Sequence, residues 1–172
     1  MNIFRHRPLG LLAPALLIAV AGCSSADDSA AVAVPSPDAK TAGPCRALHR
    51  ALPGKLDGHD RADPRPRSAY TAGWGNPAII LRCGVERPPK MIDPKVARDA
   101  DPNALSGSVN GVDWLMEKQG DGTWRFTTAS RVAYVQVTLP KGMSGQDDGL
   151  GALTDLAPAI KKAIPKGIAS MR

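Results

Sequence analysis

The chain has 172 residues, of which 22 are lysine or arginine and 16 are aspartate or glutamate, so its formal net charge is +6. No apolar run approaches the roughly 20 residues that a membrane-spanning helix needs. We find no internal repeat. The length that remains after an N-terminal leader suits one domain built around one hydrophobic core.

The first 23 residues have the pattern of a bacterial lipoprotein signal. Arg5 and Arg7 precede an apolar run from Leu9 to Ala21, and small residues then lead to Cys23. We expect residues 1–22 to be removed and a diacylglycerol thioether to form on Cys23. Two acyl chains suffice for stable anchoring, so the mature protein would be held at the extracytoplasmic face of the cell membrane. The alternative is an ordinary secretory leader in which Cys23 is incidental.

The two other cysteines, Cys45 and Cys83, are left as a pair if Cys23 carries lipid. Export makes a disulfide between them the expected state. It would close a loop of about 38 residues and stabilise the fold by roughly 3–5 kcal/mol. The alternative is a redox-active pair, although the sequence has no Cys-x-x-Cys motif.

Charge and composition divide the mature chain into a tether, residues 23–44, and a domain, residues 45–172. The tether is rich in Ser, Ala, Asp and Pro, has a net charge of −2 and is expected to be disordered. The domain carries 19 basic and 13 acidic side chains. An exported protein rarely meets nucleic acid, so this excess predicts anionic lipid headgroups or envelope polymers as contacts. The alternative is that the charge serves solubility alone.

Apolar spacing predicts the elements of the domain in chain order. A short helix is expected over Cys45–Leu52, ended by Pro53-Gly54, and a loop over residues 57–77. Period-two alternation predicts strands at residues 79–85, 112–117, 124–128 and 133–139, with a glycine-containing hairpin turn at residues 119–122.

Helical spacing returns at the C-terminus, from Leu150 to Ile164. Pro158 interrupts it, so the helix either starts near Asp155 or kinks at the proline. The predicted fold class is α+β. A small antiparallel sheet of about four strands carries the N-terminal and C-terminal helices, packed on one face, with Cys45 joining the first helix to the inward face of the Cys83 strand.

Catalytic and metal-binding motifs are weak. His59 lies among Asp57 and Asp60, but the spacing fits no zinc signature. We find no serine-hydrolase, nucleotide-binding or calcium-loop motif, and Asp147-Asp148 alone is weak support for calcium. We expect no cofactor and no metal.

One aromatic residue suggests a ligand patch. Trp74 lies between two glycines and could project to stack on a sugar or a partner. Arg82 and Tyr134 point away from the predicted core on their strands, so these three residues form a candidate patch. The alternative is that Trp74 folds back and covers the core.

The block from Trp74 to Val85 resembles an uncharacterised family of actinobacterial lipoproteins, the domain of unknown function 3515. Residues 109–114 and 131–137 fit the same pattern, as does a leading Cys45. The resemblance covers nearly all of residues 45–165. It implies a cell-envelope lipoprotein and assigns no catalytic residue.

The leading functional expectation is a lipid-anchored, non-enzymatic binding or scaffolding module for an envelope polymer or an envelope protein. A second is an enzyme of cell-wall metabolism, with His59 and the neighbouring aspartates as reactive groups. A third is a small-solute-binding lipoprotein, disfavoured because one domain lacks the usual two lobes. Oligomeric state is open.

Overall fold

A computed structural model describes residues 31–76, 79–142 and 150–169. These ranges contain a mixed arrangement of helices and strands with one short 3-10 turn at Pro89–Ile92. In chain order the elements are α1 (Ala39–Ala51), β1 (Lys55–Leu56), β2 (His59–Asp60), β3 (Thr71–Trp74), β4 (Ile79–Cys83), α2 (Pro94–Ala97), β5 (Ala104–Val109), β6 (Val112–Lys118), β7 (Trp124–Thr128), β8 (Val135–Leu139) and α3 (Leu150–Ala163).

Six of the described strands form one antiparallel sheet in the order β3-β4-β8-β7-β6-β5, and β1 and β2 form a separate hairpin. The predicted α+β class with an antiparallel sheet is confirmed, but the expected number of about four strands was wrong. The strands β3 and β5 were missed. In β3 every residue is buried, and Gly107 and two serines interrupt β5, so neither strand has an apolar alternation.

The inner face of the sheet holds the hydrophobic core. Its side chains join those of α1 and α3 in one buried cluster, which includes Trp74, Leu81, Trp114, Phe126, Val137, Leu48, Leu153, Leu156 and Ile160. Burial of these side chains is the main favourable contribution to folding. Both long helices therefore cover one face, as the apolar spacing predicts.

A disulfide joins Cys45 on α1 to Cys83 on β4, with their Cα atoms 5.5 Å apart. Both residues are buried in the core. The predicted pairing is confirmed, and it fixes the first helix to the inner face of the sheet.

Helix α1 begins at Ala39, six residues before the predicted start at Cys45. Asp38 caps it by accepting a hydrogen bond from the backbone N–H of Thr41 at 2.8 Å, which satisfies an otherwise unpaired donor of the first turn. Upstream of the cap, the Val32 N–H donates to the Arg65 carbonyl at 2.9 Å. The segment expected to be a tether is thus structured from residue 31, while Cys23 lies outside the described residues.

Helix α3 follows the predicted apolar spacing and is described from Leu150, so Pro158 lies inside it and not in its first turn. Proline cannot donate to the carbonyl four residues earlier, that of Thr154. The Asn110 side-chain amide donates to this oxygen at 3.4 Å. Among the described residues, no helix is long and apolar enough to cross a membrane.

Candidate functional site

The outer face of the sheet, opposite the core, is polar at its centre. Strand register places Thr71, Arg82, Gln136 and Thr127 side by side on neighbouring strands β3, β4, β8 and β7. Residues that oppose one another across strands point to the same face. Since Leu81 and Val137 face the core, these four side chains lie on the other side.

The outer face is covered unevenly. Over β5 and β6, Met91 of the 3-10 turn and Val96 of α2 pack on Ala104 and Leu115 in a small second cluster. This cover seals the apolar end of the outer face. It does not extend to the polar residues of β4, β7 and β8, which border a cavity instead.

A cavity of about 450 Å³ lies on this polar region. It is lined by Pro35, Ser36, Arg82, Gly84, Val85, Glu86, Arg125 and Gln136. The wall that is not sheet comes from the segment before α1. Gly84 allows this close approach, because a Cβ there would lie 2.6 Å from the Pro37 Cβ and the backbone φ is +84°.

Two guanidinium groups therefore share one cavity. Arg82 projects from β4 and Arg125 from β7, and both side chains are partly buried. The pKa of Arg82 is lowered, first because burial disfavours its charged form and second because the positive charge of Arg125 is near. The cavity therefore brings two positive charges near each other in a partly desolvated environment.

Hydrogen bonding on the outer face is incomplete among the described residues. The Arg82 Nε and the hydroxyls of Thr71 and Thr127 are buried and have no partner there. Folded proteins satisfy most buried polar atoms, because each unpaired one costs about 1–3 kcal/mol. Three such atoms in one cross-strand row distinguish this region from an ordinary sheet surface.

A smaller cavity of about 200 Å³ adjoins the same end of β4 and contains Tyr134. It shares Gly84, Val85 and Glu86 with the larger cavity, and its lining also includes the start of α1 and Ala169. Tyr134 is 8% exposed. Its carbonyl accepts from the Gly84 N–H at 2.9 Å, so it continues the β4–β8 pairing on the same face as Arg82.

Trp74 does not join Arg82 and Tyr134. It is fully buried on the inner face, and its indole N–H donates to the Pro53 carbonyl at 3.1 Å. The structure thus follows the alternative in which Trp74 covers the core. The candidate patch of three residues divides, with Trp74 on one face of the sheet and the other two on the opposite face.

His59 lies on β2, in the small hairpin that adjoins the edge strand β3, where Gly75 N–H donates to the Asp60 carbonyl at 3.1 Å. Of its acidic neighbours, Asp60 pairs with Lys55 at 3.2 Å. Within the described residues, no group of three potential metal ligands forms. Asp147 and Asp148 lie outside the described residues.

A second histidine, His49 on α1, is partly buried and contacts Arg61. Its Nε2 lies 3.2 Å from Arg61 Nη2, and Arg61 also pairs with Asp63 and lies 5.3 Å from the centroid of the Trp74 ring. Burial, and then the charge of Arg61, lower the pKa of His49, while Asp63 partly opposes them. The neutral imidazole accepts from Arg61, so this cluster supports the core tryptophan.

Sequence reasoning missed Arg125 and Gln136 as site residues. Arg125 alternates with Trp124 and Phe126 on β7, and Gln136 lies between Val135 and Val137 on β8. Alternation alone marks both as outward-facing. Their neighbours across the sheet depend on strand order and register, which no local pattern carries.

The fold and the site define an α+β domain whose six-stranded sheet buries one face under helices and keeps a polar, arginine-lined cavity on the other. A family model described as a protein of unknown function, DUF3515, matches residues 8–169. The chain belongs to this family. No curated protein and no solved structure matches it.

Proposed function

We propose that the protein is a lipid-anchored, non-enzymatic binding or scaffolding module at the extracytoplasmic face of the cell membrane. It engages an envelope polymer or an envelope protein through the outer face of its sheet. The observation that carries this proposal is the cavity at Arg82, Arg125 and Gln136, a polar recess on the outer face of the sheet. The core side of the same sheet is occupied by α1 and α3.

The extracytoplasmic address is supported by the leader and by the cysteines. The residues before Cys23 have the composition of a lipoprotein signal, and a disulfide joins the remaining pair, Cys45 and Cys83. Disulfides persist in oxidising compartments and are rare in the cytosol. Acylation of Cys23 accounts for the third thiol.

The anchor would hold the domain near the membrane. The first described residue, Ala31, forms a bridge to Arg65. The eight residues from Cys23 to 30 reach at most about 28 Å when extended. The segment that forms the cavity wall, Pro35 and Ser36, follows directly, so the cavity lies within a few nanometres of the lipid surface.

Site-specific crosslinking in living cells tests the proposal. A photo-crosslinking amino acid replaces Glu86, an exposed residue on the cavity wall, in the full-length chain with its leader. The matched control carries the same group at Lys162, an exposed position of α3 on the other side of the molecule. We expect the Glu86 position to capture an envelope component and the Lys162 position to capture none.

Equal capture at both positions, or none at Glu86 in cells where the protein is correctly anchored, would contradict binding through the outer face. The enzyme alternative is tested in parallel by His59→Ala. We expect this variant to complement a deletion strain as well as the unchanged protein does. A loss of function with a folded protein would support the enzyme instead.

A further inference from the structure

We propose that the cavity on the outer sheet face binds a single anionic group, a carboxylate or a phosphate, between Arg82 and Arg125. This inference rests on the proposed function, because it names the chemistry that the same face would recognise. The ligand group would belong to the envelope polymer that the module contacts. Gln136, between the two arginines across the sheet, would supply a third polar contact.

The two arginines form no ion pair in the described structure, and neither side chain has a hydrogen-bond partner among the described residues. Other cations of the domain are also unpaired, so the feature of this site is that two unpaired guanidinium groups line the same cavity. Two neighbouring guanidinium groups that share a cavity repel one another, and an anion between them would remove this repulsion.

Two carboxylates are close enough to be considered as internal counterions. Glu86 lines the cavity but is exposed, and Glu117 lies beside Arg125 on β6, on the side away from Arg82. Neither forms an ion pair with either arginine in the described residues. Among the residues that line the cavity, two guanidinium groups and one carboxylate leave a net charge of +1, and the Glu117 carboxylate lies outside this lining.

The hydrogen-bond donors at the site are of the type that binds an oxyanion. A guanidinium presents parallel N–H groups that bind carboxylate or phosphate oxygens in pairs. The Nε of Arg82 is buried and has no acceptor among the described residues, so contact with a ligand in the cavity falls to the terminal Nη groups of Arg82 and Arg125. Gln136 is 9% exposed and borders the cavity, so its amide can donate as well.

The scaffold fixes these donors before a ligand arrives. Arg82 and Gln136 are direct partners in the β4–β8 register, and β8 pairs along its length with β7, which carries Arg125. Central strands of a sheet are rigid, and the disulfide holds β4 to α1 one residue away, at Cys83. Preorganisation of this kind lowers the entropic cost of binding.

The test is an NMR titration of the full mature chain, with its lipid, in detergent micelles. Sodium phosphate and sodium acetate are added in separate arms against sodium chloride, at constant pH and ionic strength. We expect the Nε–H signals of Arg82 and Arg125 and the side-chain amide of Gln136 to shift and saturate. Saturation with phosphate alone assigns a phosphate group, and saturation with acetate alone assigns a carboxylate.

Three charge-matched variants decide the assignment. Arg82→Gln and Arg125→Gln should each weaken the binding by about tenfold, since each removes a charge-assisted contact. Arg50→Gln removes one charge from an exposed position of α1, on the opposite side of the sheet, and should leave the affinity unchanged. Dispersed indole signals from the buried tryptophans confirm that each variant is folded.

The proposal is overturned if the shifts do not saturate, if chloride produces them equally, or if Arg50→Gln weakens binding as much as Arg82→Gln. The mass of the mature N-terminus is measured on the same preparation. A lipid-modified chain without anion binding rejects this site and leaves the anchored module intact. A chain without lipid that binds the anion rejects the anchor and keeps the site.

Discussion

Arg61 joins three residues that lie far apart in the sequence. It lies over the ring of Trp74, contacts His49 and pairs with Asp63. Protonated His49 would place a second positive charge against Arg61, and burial adds to this cost, so the pKa of His49 is lowered from its ordinary value of 6.5. The histidine is therefore a structural acceptor that depends on remaining neutral.

This lowered pKa predicts a pH dependence of folding. Below pH 6.5 the unfolded chain binds a proton at His49 that the folded chain resists. The stability that depends on neutral His49 is fully present above pH 6.5. It is lost as the pH falls from there toward the lowered pKa of His49 in the folded state. We expect the free energy of unfolding, measured by denaturant titration, to decrease over this interval.

The variant His49→Gln keeps an acceptor for Arg61 but cannot titrate, so it should flatten this part of the stability profile. His59→Gln removes a histidine outside the cluster and is the matched control, which should keep the profile of the unchanged protein. An unchanged slope in His49→Gln would show that another group causes the acid sensitivity.

At the scale of elements, the turn between β5 and β6 also supports α3. Asn110 and Gly111 both have positive φ, +47° and +75°. This is the backbone that two-residue hairpin turns of this kind require. The Asn110 carbonyl accepts a hydrogen bond from Lys161 Nζ at 2.9 Å. The Asn110 side-chain amide donates to the Thr154 carbonyl inside the helix.

The prediction at this turn is that Gly111→Ala destabilises the fold by about 1–2 kcal/mol, since a Cβ is unfavourable at positive φ. Gly120→Ala is the matched control. It adds the same methyl group where nothing lies within 4 Å and φ is not in the left-handed region, so it should change stability by less than about 0.5 kcal/mol. Thermal or chemical unfolding measures both, and equal effects would contradict the account of the turn.

Local sequence patterns predicted the elements that bury one face. Strand β4 alternates in burial, and β8 alternates apolar with polar residues although its outer face is also largely buried. Helix α3 has a continuous apolar stripe, so each of these elements carries its own signal. Strand β5 does not, although the Asn110-Gly111 pair before β6 is a hairpin signal that could have located it. Strand β3 lies in a segment dense in proline and glycine, and only pairing with β4 makes it a strand.

Of the polar residues that line the larger cavity, one could be predicted from the sequence. Arg82 was expected to face away from the core, and it does. Arg125 and Gln136 reach the same cavity because β7 and β8 lie next to β4 in the sheet, an arrangement set by tertiary pairing. Trp74 has glycine neighbours that allow projection, but Pro53 and Arg61, both distant in sequence, hold it in the core.

Across the domain, the disulfide connects the N-terminal helix to β4, the strand next to the edge strand β3. The bond between Cys45 and Cys83 closes a loop of 38 residues that contains α1's end, the β1–β2 hairpin and β3. Loss of this constraint enlarges the unfolded ensemble. The loop-closure model gives a destabilisation of about 4 kcal/mol for its removal.

The double variant Cys45→Ala/Cys83→Ala tests this value by chemical denaturation. We expect the free energy of unfolding to fall by about 4 kcal/mol. The unchanged protein, measured with and without reductant, is the control. Reductant should destabilise it by a similar amount and leave the double variant unaffected, and a variant as stable as the oxidised protein would show that the bond adds nothing.

We propose that this chain is exported and lipid-anchored. Intact mass spectrometry of the protein purified from membranes of its native cells checks export and anchoring together. We expect a chain that starts at Cys23, carries a diacylglyceryl group there and is two hydrogens lighter for the bond between Cys45 and Cys83. A full-length chain of 172 residues recovered from the cytosol with three free thiols would contradict it.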